Sequence, residues 1–180
     1  MLKLLIATIS LLNTSQDPAQ NADKMLVLAT ADQPIVTTGI VPAPIKDVWR
    51  AWTESSEITK WMVPTGEVEF RIGGKYRTSY NKDSDLTGPD VIENTILAYD
   101  PMRMITIQNT KAPANFPFKK MIAQVWTVIY LKEVDKDTTE VVVRMNGFDH
   151  SEESLKMKPF FVQGNQATLD ALIRRFKSKS

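Results

Sequence analysis

The 180-residue chain contains no cysteine and a single histidine, His150. Disulfides, thiolate nucleophiles and cysteine-ligated zinc are therefore excluded, and a histidine-rich metal centre cannot be built. Neither charge sign dominates: 22 basic side chains face 21 acidic ones, for a formal net charge of +1, with no long block of one sign. That balance offers no electrostatic footprint for a polyanion, so a nucleic-acid partner is not expected. No apolar run approaches the roughly 20 residues that cross a bilayer, and a stable membrane anchor is not expected either. Gly-x-Ser-x-Gly is absent, which removes the nucleophile elbow of serine hydrolases. Gly73-Gly74 is not followed by Lys-Ser/Thr, so it reads as a bend between strands rather than a phosphate loop. These absences leave no metal, no cofactor and no catalytic residue to nominate.

What is present begins with an ordered N-terminal pattern. Lys3 precedes an apolar run from Leu4 to Leu12, followed by polar residues and the small Ala19 and Ala22. This is the order of a secretory signal peptide. The expected division is a leader over residues 1–22, a linker over 23–33 and one domain over 34–180. A periplasmic or secreted protein follows from it; the alternative is a cytoplasmic protein whose N-terminus is merely apolar.

Beyond the leader, "QPIVTTGIVPAP" is a β-branched strand stopped by Pro42 and Pro44, and Pro44 suits the first turn of a helix. Ile45, Val48, Trp49 and Trp52 then fall at helical spacing on one face. A second short helix is expected from Glu54 to Trp61. Val68, Phe70 and Ile72 alternate with charged residues, as in a strand with one wet face. Further strands are expected at Val91 to Tyr99, Met102 to Asn109, Ile122 to Leu131 and Thr139 to Phe148. From Pro159 to Lys177 the period changes to helical, with Phe161, Leu169, Leu172 and Phe176 on one face. A run of strands closed by a long helix predicts an α+β fold with an antiparallel sheet. Asp149, His150, Glu152 and Glu153 cluster in "GFDHSEES", which reads as a solvated loop without metal-site spacing.

The ordered set "VPAP", "DVWRAWT", "ITKWMVP", "EFRIGGKYR", "YDPMRMITI" and "TTEVVVRMNGF", followed by Gly164, Leu169 and Leu172, resembles the SRPBCC superfamily of START-like, helix-grip domains. Within it, the likeness is to homologues of the activator of Hsp90 ATPase, over roughly residues 34 to 177. The resemblance implies a curved antiparallel sheet of about six to seven strands wrapped around the C-terminal helix, with two short helices after the first strand. It also implies a cavity between sheet and helix that suits a hydrophobic or amphipathic small molecule. A protein partner, as for a co-chaperone, and a cyclase- or hydratase-like enzyme are the alternatives it brings. Many members carry Trp where this chain has Asn165, so the shorter amide enlarges the expected pocket. Strand parity and helix face nominate Phe70, Tyr76, Trp126, Met145, Phe161 and Leu169 as further ligand-binding residues. "IAQVWTVIYL" is apolar on both parities, which leaves the face of Trp126 open. Trp49, Trp52 and Trp61 read first as structural anchors, since each buries a large area.

Overall fold

The computed structural model describes residues 30–177, so the expected leader over 1–22 and most of the expected linker lie outside the described residues. Strand β1 (Ile35–Val41) is followed by α1 (Ile45–Thr53) and α2 (Ser55–Ile58). Six strands come next: β2 (Thr65–Val68), β3 (Lys75–Ser79), β4 (Ile92–Asp100), β5 (Met104–Lys111), β6 (Trp126–Asp135) and β7 (Thr138–Asn146). A short helix α3 (Lys119–Ile122) sits between β5 and β6, and α4 (Glu152–Lys177) ends the domain. All neighbours pair antiparallel in the order β1-β7-β6-β5-β4-β3-β2, which places the first strand beside the last. The sheet curls around α4 in the helix-grip arrangement.

Side-chain alternation decides which residues meet the helix. On β7, Val141, Val143 and Met145 are buried while Arg144 between them is exposed. On β6, Thr127, Ile129 and Leu131 take the same concave face, opposite Trp126 and Tyr130. Helix α4 is held at two places. Towards its C-terminus, Leu169, Leu172 and Phe176 join a core that includes Val41, Trp49 and Ile105. Near its start, Met157 joins Ile35, Ile122, Met145 and Phe148 in a second cluster, with Phe161 packed against it. Gly39 on β1 permits the close approach: a β-carbon there would lie 2.8 Å from Leu169 Cδ2.

Three expected elements change on folding. Strand β2 ends at Val68, and the chain then turns, with Gly73 at a φ of 76°, leaving Ile72 65% exposed rather than inward. The expected strand from Ile122 divides into α3 and a strand that starts at Trp126, because Glu153 Oε1 accepts the N–H groups of Lys120 and Met121 at 3.1 and 3.2 Å and so satisfies α3's first turn. The long helix begins at Glu152, not Pro159. Its start is capped by Ser151, whose Oγ accepts the Ser154 N–H at 3.2 Å, while Asp149 Oδ1 accepts the Ser151 N–H at 2.9 Å. Glu152 and Glu153 in the first turn suit the helix dipole, and Pro159 is carried inside the helix at the cost of one backbone donor. The acidic "DHSEES" segment is thus largely a helix start.

Candidate functional site

Between the two places where α4 is anchored, the concave face and the helix separate to leave a cavity of about 390 Å³. Strands supply Ile92, Asn94, Asn109, Thr127 and Met145 to its wall. The connection between β5 and β6 supplies Ala112, Pro113, Phe116, Ile122 and Val125. Helix α4 supplies Phe160, Phe161, Gly164, Asn165 and Thr168, and the exposed Tyr80 stands at the rim. Phe116 is the hub of an edge-on aromatic group, with ring centroids 5.6 Å from Phe118, 5.8 Å from Phe160 and 6.2 Å from Phe161. Such geometry suits the aromatic quadrupole and stiffens the cavity wall.

A smaller cavity of about 150 Å³ lies next to it, lined in part by Trp52, Met62, Tyr76, Ile107, Ile129 and Val143. Asn94, Thr127, Asn165 and Thr168 belong to both walls, so four polar side chains mark the junction of the two spaces. Thr168 Oγ1 is committed to the Gly164 carbonyl at 2.9 Å. Asn165 Nδ2 and Trp52 Nε1 are buried and have no hydrogen-bond partner among the described residues. Tyr76 is almost fully enclosed, its hydroxyl 4.0 Å from Met62 Sδ, and burial pushes its phenol far above the ordinary value. Among the described residues, no Asp, Glu, Lys, Arg or His lines either space.

Three of the residues nominated from sequence meet at the larger cavity: Met145, Phe161 and Asn165. Tyr76 joins Asn165 at the smaller one. Phe70 packs between Trp49 and Tyr99, at centroid distances of 5.4 and 4.7 Å, and Leu169 lies fully buried beneath Gly39. Both belong to the core that supports the site. Trp126 is 40% exposed on the outer face, because Thr127 beside it turns inward. The anchoring role of the other indoles is visible in Trp52 and Trp61, edge-on at 4.9 Å, and in the 3.0 Å bond from Trp61 Nε1 to the Ala51 carbonyl.

The model of the family described as "Activator of Hsp90 ATPase homolog 1-like protein" matches residues 42–177. The chain belongs to this family. Among solved structures, this family member is similar to the protein MLL2253 from Mesorhizobium loti, at 16% identity and a TM-score of 0.64, over 82% of this chain and 99% of that one. CalU16 from Micromonospora echinospora is 22% identical with a TM-score of 0.56, over 77% of this chain and 71% of that one. PFC0360w, an HSP90 activator from Plasmodium falciparum, is 13% identical with a TM-score of 0.51, over 72% and 88%. At these identities the likeness is one of fold. Comparison with curated proteins returns no match.

Of the polar junction of this activator-homologue fold, sequence reasoning found Asn165 and missed Asn94, Thr127 and Thr168. Thr127 was open to discovery, since it is the polar residue on the parity that carries Ile129 and Leu131. Asn94 was open to discovery as well, since it shares the parity of Ile92 on β4; the register shift there places the extra residue, Thr110, on β5. Thr168 sits one turn after Gly164 on the same side of α4 and could have been read from helical spacing.

Proposed function

We propose that this protein binds a hydrophobic or amphipathic small molecule in the space between the sheet and α4, without transforming it. The observation that carries this reading is the 390 Å³ cavity, with its predominantly apolar wall and a few polar side chains. That size and composition match small-molecule sites. Acid–base chemistry has little support in the wall: among the described residues no carboxylate, imidazole or amine lines it, and burial keeps Tyr76 protonated. The cyclase- or hydratase-like alternative is disfavoured for that reason. A protein-interaction reading draws support from the family description and from the HSP90 activator among the structural relatives. Export, supported by the order of residues 1–22, favours the small molecule over a cytosolic chaperone.

The test is titration of protein freed of co-purified ligand, by unfolding and refolding, with an environment-sensitive fatty or aromatic probe. Saturable binding is expected, weakened at least about tenfold by Asn165→Trp, which fills the junction, with the circular dichroism of the fold retained. Absence of saturation across fatty acids, isoprenoids and aromatic polyketides overturns the reading and leaves the interaction domain as the better one.

A further inference from the structure

Three of the polar groups around the inner space, all from enclosed side-chain atoms, lack a strong partner and share one property. Trp52 Nε1 and Asn165 Nδ2 are buried with no acceptor among the described residues, and the Tyr76 hydroxyl meets only a thioether sulfur at 4.0 Å. Each is a donor. An indole N–H can only donate, so the polarity of the site does not depend on how the Asn165 amide is turned. Tyr76 is kept in its donating form by burial. A buried donor left without an acceptor loses its hydration unrepaid, and three such groups lining one small space make an acceptor the complementary ligand group.

We propose, resting on the small-molecule reading above, that the ligand is a neutral carbonyl compound with an apolar body, a ketone, ester or quinone, whose oxygen accepts hydrogen bonds from this donor set. Charge complementarity separates it from the other candidates. A carboxylate would enter a space lined by no cation among the described residues, where burying an uncompensated charge is costly. An amine brings donors to donors. A hydroxyl accepts too, but it must also place its own proton, on Asn94, Thr78 or Thr127 of the same wall, and so draws less from the donor set. A carbonyl oxygen only accepts, and its two lone pairs suit two of the three groups at once. The body of the molecule then extends past the junction at Asn165 into the larger cavity, against Met145 and Phe161.

The test is displacement of the fluorescent probe from the ligand-free full-length protein by three compounds of matched chain: methyl laurate, dodecane and, at about pH 8, laurate. Methyl laurate should compete about tenfold more tightly than either of the others, the difference of one well-made hydrogen bond. Tyr76→Phe, Trp52→Phe and Asn165→Leu should each weaken methyl laurate about fivefold more than they weaken dodecane, and dodecane binding reports how each variant changes its cavity. Equal competition by methyl laurate and dodecane, or tightest competition by laurate, overturns the carbonyl assignment and leaves the binding reading standing. Ester affinity unchanged in all three variants overturns it as well. Failure of every compound to compete overturns both.

Discussion

Replacing Gly39 by alanine tests how closely α4 is seated on β1. A β-carbon at Gly39 would lie 2.8 Å from Leu169 Cδ2, 2.9 Å from Leu169 Cγ and 3.1 Å from Ile173 Cδ1. Carbon atoms prefer separations of about 3.5–4.0 Å, so the helix or the leucine must yield by several tenths of an ångström. Leu169 has no exposed surface and is enclosed by the main core, which denies it an easy rotamer change. Overpacking of this kind costs about 1–3 kcal/mol. Removing a glycine from the unfolded chain returns about 0.4–1 kcal/mol. The net expectation is a loss of about 1–2 kcal/mol, or a melting temperature lower by about 3–6 °C for a domain of this size. Urea denaturation of a double-mutant cycle with Leu169→Ala isolates the contact. Leu169→Ala alone should cost about 2–5 kcal/mol through the void it leaves, and the alanine methyl at position 39 should fit into part of that void. The double variant should therefore be at least about 1 kcal/mol more stable than the two losses added together. Strict additivity, or a Gly39→Ala protein more stable than wild type, would refute the close seating of α4.

Acid should unfold the protein partly through Glu93. Its carboxylate contacts Lys75 Nζ at 2.8 Å, Arg77 Nε at 3.0 Å and Thr110 Oγ1 at 3.1 Å, and the hydrogen bond from Lys75 leads in holding its pKa down at about 2. The stabilisation is complete above the ordinary carboxylate range and disappears as pH falls towards 2. With partial solvent screening it amounts to about 1–2 kcal/mol. Glu93→Gln should remove that amount at neutral pH and flatten the acid limb of stability against pH, measured by urea midpoints; an unchanged limb contradicts the assignment. At the N-terminus, protein recovered from its host should begin after residue 22 or close to it, and N-terminal sequencing that finds intact Met1 on soluble cytoplasmic material ends the export proposal.

Period-two and helical patterns carried most of the architecture, because each strand has one buried face and α4 has one apolar stripe. Val141, Val143 and Met145 are legible in "EVVVRM" for that reason, as are Leu169, Leu172 and Phe176 in the last helix. What escaped depends on contacts between distant segments. The extent of α3 rests on a carboxylate more than thirty residues away, at Glu153. The start of α4 looked like a polar loop because Asp149, Ser151 and the glutamates that cap a helix are the same residue types that populate surface turns. Proline seemed to open the helix at 159, where it is in fact accommodated within it. The donor set was half visible. Tyr76 and Asn165 were nominated, whereas Trp52 was read first as an anchor and only second as pocket lining, although one indole can serve the core with its rings and the cavity with its nitrogen.

The two-ended anchoring of α4 has an evolutionary consequence. Substitutions at Met157 or at Leu169, Leu172 and Phe176 fall on the supports and are felt as lost stability. Those at Gly164, Asn165 and Thr168 fall on the span between, where the cavity lies beneath. A lineage can therefore sample residues along the span with little risk to folding. On the proposed small-molecule reading, selection for a new ligand and selection for a folded chain act on separate stretches of one helix, so the binding preference can drift while the scaffold is retained.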